Sequence, residues 1–199
     1  MQMPMKSQQR KLPTRLPAAL LALALLACFS GSSFASDSFS ERRTQVGLKL
    51  FRTLVSADLN IASKSNGEGE LPVVLVYAND QAQAAELQQQ LQSDFNAVGN
   101  VPVRIDIGSL STLLASDENK PAAIFISQPL KAPEREALVT YSVKREIILF
   151  SPFDGDVEQG VLAGLSVQST VRPLINQHTL ERGRYRIKSF YLKVAKHYE

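Results

Sequence analysis

The residues able to do chemistry are few, and their spacing argues against most kinds of it. The two histidines, His178 and His197, both fall in the C-terminal part, and neither follows a core strand. Nothing pairs them with a serine or an acid as nucleophilic catalysis requires. They lack the paired spacing of zinc ligands, and the single cysteine, Cys28, lies far from both. Asp154-Gly155-Asp156-Val157-Glu158 is the densest acidic run. A calcium loop of the EF-hand kind needs glycine at its sixth position, and Gln159 stands there. The run therefore reads as a solvated turn with helix-capping acids. Gly160 and Gly164 are not followed by the lysine of a phosphate loop. This pattern predicts neither an enzyme nor a cofactor or metal site.

One further set of polar residues has a recognisable place. Asn79, Asp80, Ser109, Ser127, Gln128 and Ser151 each follow an apolar run of strand length. In a doubly wound sheet the crevice beyond the carboxyl ends of the strands is the preferred ligand position. The six residues are therefore a candidate ligand crevice, and equally a set of strand-to-helix caps.

The elements that position them repeat in order. Glu41–Ala57 reads as a helix with Val46, Leu50 and Leu54, joined by Phe51 and Val55, at helical spacing after a flexible entry at 36–40. Val73–Tyr77, Val101–Ile107, Ala122–Ile126 and Ile147–Phe150 read as strands. Between them lie helical segments at Gln81–Phe95, Leu110–Ala115 and from Pro133 to about Val143. Near-continuous apolar strands alternating with helices predict a parallel sheet covered on both faces. The expected fold is α/β, a three-layer sandwich with a mainly parallel, flavodoxin/Rossmann-like sheet. A strand pair at Leu162–Val167 and Val171–Ile175, a short helix to Arg182 and a last helix at Lys188–Tyr198 complete it.

The first 35 residues have the build of a secretory signal. Lys6, Arg10, Lys11 and Arg15 precede an apolar run from Leu16 to Phe29, and Ser33 and Ala35 supply small residues for cleavage after Ala35. The expected division is a signal peptide over 1–35 and one α/β domain over 36–199, working in the periplasm. Leu25-Leu26-Ala27-Cys28 offers a second reading, a lipoprotein anchored through Cys28. The leader carries four of the 22 basic residues and none of the 19 acidic ones, so the remainder has 18 basic and 19 acidic residues. The sequence pI near 9.0 is then partly a property of the leader, and nucleic acid is not an expected partner. Charge within the remainder is uneven: Arg172–Glu199 holds 7 basic and 2 acidic residues, and Ser36–Val171 holds 11 and 17.

Four stretches together resemble the YfiR/HmsC-like family of small periplasmic proteins. They are LPVVLVYANDQ, VPVRIDIGSLSTL, PAAIFISQP and the long run from IILFSPFDGD to the closing YLKVAKHYE. The chain departs from the family in lacking cysteines after the leader, so disulfide control is not implied. Its early helix has LKLFRTLVSADLNI where the family has an aromatic-rich start. The resemblance implies a non-catalytic regulator that binds and restrains an inner-membrane signalling protein, a diguanylate cyclase or sensor kinase, in cyclic di-GMP signalling. The candidate partner surface is Val46, Leu50, Phe51 and Leu54 on the first helix, or Lys188, Lys193 and Lys196 on the last. A second copy of the chain is a further possible partner. The alternative is a small-ligand-binding periplasmic module of a transport system, using the strand-end crevice.

Overall fold

The computed structural model describes residues 33–116 and 120–199; for 33–39 it describes the backbone only. The signal-peptide and Cys28 readings therefore lie almost entirely outside the described residues. Ser40–Glu199 forms one compact unit, distinct from Met1–Phe39. All that follows belongs to the former.

Helix α1 spans Ser33–Ala57. It begins ahead of the expected Glu41, and the flexible entry is helical, because no glycine or proline interrupts Ser33–Ser40. Strand β1 is Leu71–Tyr77 and helix α2 is Gln81–Asp94. A two-residue strand, β2 (Ala97–Val98), turns through Gly99 into β3, Val101–Ser109. Gly99 adopts φ 60°, the left-handed conformation such a tight turn demands. Helix α3 (Leu110–Ala115), β4 (Ala123–Ile126), helix α4 (Ala132–Arg145) and β5 (Ile148–Phe150) follow. The chain closes with β6 (Ala163–Val167), β7 (Val171–Asn176), α5 (Gln177–Arg182), α6 (Ser189–Val194) and β8 (Lys196–Tyr198).

The eight strands form one sheet in the order β2-β3-β1-β4-β5-β6-β7-β8. The five from β3 to β6 are parallel, while β2 and β7 each run antiparallel to a neighbour. The chain leaves β1 for β3, then crosses back to β4, which is the doubly wound order with its switch point between β1 and β4. The expected α/β class is therefore the observed one.

Alternation of side chains sorts the helices onto two faces. Phe125 of β4 and Phe150 of β5 stack with ring centres 5.8 Å apart, and Phe51 of α1 meets both at 5.4 and 5.9 Å. Helix α2 lies beside α1 on this face: Arg52 donates to the Asp94 carbonyl at 2.9 Å. Helices α3 and α4 cover the other face. The buried stripe of α1 is Leu48, Phe51, Leu54 and Val55, with Val46 and Leu50 only half-buried. The stripe is rotated from the one expected because Gly47 must face the sheet, where a Cβ would meet Pro152 Cβ at 2.9 Å.

The C-terminal segment differs from expectation. Lys188–Tyr198 is not one helix: α6 stops at Val194, and Lys196, His197 and Tyr198 pair with Leu174, Ile175 and Asn176 of β7. A free strand edge outweighs helix propensity in so short a segment.

Candidate functional site

The six strand-end residues do lie at the carboxyl ends of the parallel strands, where sequence placed them, but their polar atoms are engaged within the fold. Gln128 is buried, and its Oε1 accepts hydrogen bonds from the Asn79 and Asp80 amides at 3.1 and 3.3 Å. Its Nε2 donates to the Asp80 carbonyl at 3.1 Å. One amide side chain thus bridges the loops after β1 and β4, across the switch point itself. Ser127 is fully buried, and its hydroxyl donates to the Val76 carbonyl at 2.7 Å. Asp80 caps α2 through the Gln83 amide at 2.9 Å, and Ser109 caps α3 through the Thr112 amide at 3.1 Å. These are the helix ends that need acceptors, so the capping half of the reading accounts for their chemistry.

Ser151 belongs to a second closed network. Its hydroxyl accepts from the Phe153 amide at 3.2 Å and donates to Asp156 Oδ2 at 2.5 Å. Arg135 of α4 donates to the other carboxylate oxygen at 3.2 Å. Burial pushes the Asp156 pKa above the usual carboxylate range, although Ser151 and Arg135 pull the other way. The acidic run is therefore not a wholly solvated turn. Asp156 and Val157 are buried because Asn176 binds the Val157 carbonyl at 2.7 Å and Thr179 binds that of Gly160 at 2.9 Å. From the other side Arg43 of α1, itself buried, donates to the Pro152 and Leu165 carbonyls and pairs with Asp154 at 2.5 Å. Two arginines and an asparagine hold this loop. Ser151 has no histidine beside it, and its oxygen is spent on Asp156, so nothing here makes it a nucleophile.

His178 is exposed, and His197 contacts Gln177 and the Leu192 carbonyl at 3.1 and 2.9 Å. Among the described residues, no group of three metal-ligating side chains comes together, and no helix is long and apolar enough to cross a membrane.

A site that sequence reasoning missed opens on the α3 face of the sheet. β3 has nine residues, a length of about 30 Å, while α3 above it has six, about 9 Å. So short a crossover cannot cover β1 and β3, and a groove of about 620 Å³ remains. Its floor is Val74 of β1 with Arg104, Asp106 and Gly108 of β3, since Val74 and Asp106 are register partners. A Cβ on Gly108 would meet Val74 Cγ1 at 3.3 Å, so glycine keeps this part of the floor low. One wall is the 60–67 loop with Lys64; Thr112 and Leu113 of α3 form the other.

The groove carries both signs of charge. Arg104 Nε donates to Asp106 at 2.9 Å, and its NH1 reaches Glu68 and Glu70 at 3.3 and 3.5 Å. The hydrogen bond and charge of Asp106 raise the Arg104 pKa above its ordinary value, with Glu70 and Glu68 adding to it. Lys64 is anchored by Asp58 and the Glu146 carbonyl, each at 2.6 Å. Asp58 is buried, so this lysine is fixed in place while part of it lines the groove. The signal for the site was present in β3: charges at 104 and 106 alternate with Val103, Ile105 and Ile107 in a strand that a doubly covered sheet should keep apolar on both faces.

The candidate partner surface divides. Phe51 and Leu54 are fully buried in the core, so they form no surface; sequence spacing could not distinguish the face that packs on a sheet from one that meets a partner. Lys188, Lys193 and Lys196 are exposed, with Lys188 Nζ donating to the Ser56 carbonyl at 2.9 Å.

No family model matches the chain, and no curated protein does. Solved structures similar to it include a conserved domain protein from Vibrio cholerae O1 biovar eltor, at 14% identity and TM-score 0.48, covering 69% of this chain and 57% of that one. A second is the ABC domain in complex with L-Trp from Streptococcus pneumonia, at 12% identity and TM-score 0.45, with coverage of 72% and 61%. A third is the ligand-free, open structure of CD0873, a substrate binding protein with adhesive properties from Clostridium difficile, at 12% identity and TM-score 0.48, with coverage of 77% and 58%. The match spans less than two thirds of each of these chains.

Proposed function

We propose that this chain is an exported, non-catalytic binding module, and that its ligand is a small polar molecule bearing charge of both signs. The supporting observation is the groove over Val74, Arg104, Asp106 and Gly108. Its volume of about 620 Å³ is that of a small-molecule site. A cation and an anion stand side by side on its floor, and a fixed lysine lines its wall. The strand-end crevice supports this reading less, because its donors and acceptors are occupied by one another. The regulator reading loses half of its expected helix surface to the core.

The test is thermal stabilisation of the chain from Ser36 by a panel of amino acids and small organic acids, with Arg104→Ala beside it. A panel member that raises the melting temperature of the parent and not of Arg104→Ala is the expected result. Equal stabilisation of both proteins would remove the groove from the account.

A further inference from the structure

Among the described residues six large apolar side chains are exposed, and five of them lie in the last three strands and α6. Val167 and Val171 face each other as register partners in the β6–β7 hairpin, at 42% and 45% exposure. Phe190 and Val194, one turn apart on α6, stand at 55% and 56%, and Tyr198 is in β8. Because the sheet ends in the order β6-β7-β8, all of these occupy one edge of the molecule. The sixth, Leu59, adjoins the same edge, its amide bonded to the Arg186 carbonyl at 2.8 Å.

The same elements carry the positive charge of the domain. Arg172 follows Val171, Lys193 precedes Val194 and Lys196 opens β8, and all three are exposed. The segment Arg172–Glu199 has a net charge of +5, while Ser36–Val171 has −6. Apolar side chains that stand out from the surface, each next to a lysine or arginine, match what an anionic bilayer surface requires. The apolar groups enter the headgroup layer, and the long basic side chains reach lipid phosphates. A second copy fits poorly, since a two-fold interface would set one +5 surface against another. An acidic protein fits less well than lipid, because lysine is depleted from the buried centres of protein interfaces.

We infer that the β7–α6–β8 edge docks on an anionic lipid surface, with Phe190 and Val194 inserted and Arg172, Lys193 and Lys196 on the headgroups. This goes beyond the ligand groove and does not depend on it.

The experiment is co-sedimentation of the chain from Ser36, which contains the whole compact unit, with vesicles of phosphatidylglycerol and phosphatidylcholine or of phosphatidylcholine alone. Binding to the anionic vesicles is expected to be about tenfold tighter or more, and to weaken as salt rises. Lys193→Glu combined with Lys196→Glu should abolish that preference, and Phe190→Ser should lower binding at every salt concentration. Arg104→Ala, in the groove, should bind as the parent does. Circular dichroism of each variant confirms that the fold is retained. Any of four results would overturn the inference: no sedimentation with anionic vesicles, equal binding to both vesicle types, a charge-reversed protein that still binds, or loss of binding in Arg104→Ala. Retention on immobilised polyglutamate without vesicle binding would assign the edge to an acidic protein instead. A dimer in sedimentation velocity that Phe190→Ser dissolves would assign it to a second copy.

Discussion

At the carboxyl ends of β1 and β4, Gln128 reaches across the switch point and takes up two amides and a carbonyl of the facing loop. On the α3 face of β1 and β3, Arg104 and Asp106 stand beside a groove that nothing in the chain fills. Both regions hold polar side chains on a doubly wound sheet, yet one is closed and the other open. The difference lies in the connections. Short loops at the strand ends leave backbone groups that must be paired, and the nearest side chains pair them. The crossover after β3 has a six-residue helix, which leaves part of the sheet uncovered. A ligand position in this fold is thus set by what the connections fail to cover, and fold-level expectation alone pointed to the wrong end of the strands.

If the carboxyl end is scaffold, changes there should cost stability and spare binding. The largest effect is expected at Gly164, where a Cβ would lie 2.6 Å from the Ser151 carbonyl oxygen and 2.7 Å from Val157. Gly164→Ala should lose about 3 kcal/mol in urea unfolding, since the loop held by Arg43 and Arg135 must shift to admit it. Gln128→Ala should lose about 1.5 kcal/mol, the value of hydrogen bonds taken from partly buried backbone groups. Its response to the stabilising panel compound should equal that of the parent; loss of that response would return the ligand to the switch point.

Asp156 sharpens the same contrast through pH. Burial raises its pKa in the folded chain above the ordinary 3.8, so the folded state holds the proton more readily than the unfolded one. The parent should therefore lose stability relative to Asp156→Asn as pH rises from about that value through the raised one. Below the window the two should run parallel. Urea midpoints at a series of pH values measure this, and an opposite slope would mean that Arg135 outweighs burial. The smallest stability effect is expected at Arg104, whose ion pairs are solvent-exposed. Arg104→Ala should cost less than about 1 kcal/mol and still abolish the ligand response.

The repeating elements were legible because each strand from β1 to β5 carries an apolar run and each following helix a cap. The capping residues Asp80, Ser109 and Asn176 all cap where their types and positions suggested. The order of strands was not legible, since β1 and β4 carry much the same apolar pattern and nothing local says which is central. β2 is two residues long and has no period to detect. β8 was read as helix because its pairing partner, Leu174–Asn176, is distant in sequence. Asp156 was read as solvated because Asn176 and Thr179, which bury its loop, lie some twenty residues on. The groove left a trace in the alternating charges of β3, but its opening depends on the length of α3 relative to the strand beneath it.

The most direct test is nuclear magnetic resonance of the isotope-labelled chain from Ser36, titrated with the panel compound that stabilises it most. The account predicts the largest amide shifts in residues 63–67, at Arg104–Gly108 and at Thr112, with Asn79, Asp80, Ser127 and Gln128 unmoved. Largest shifts at Asn79, Asp80 and Gln128, with Arg104–Gly108 unchanged, would contradict it.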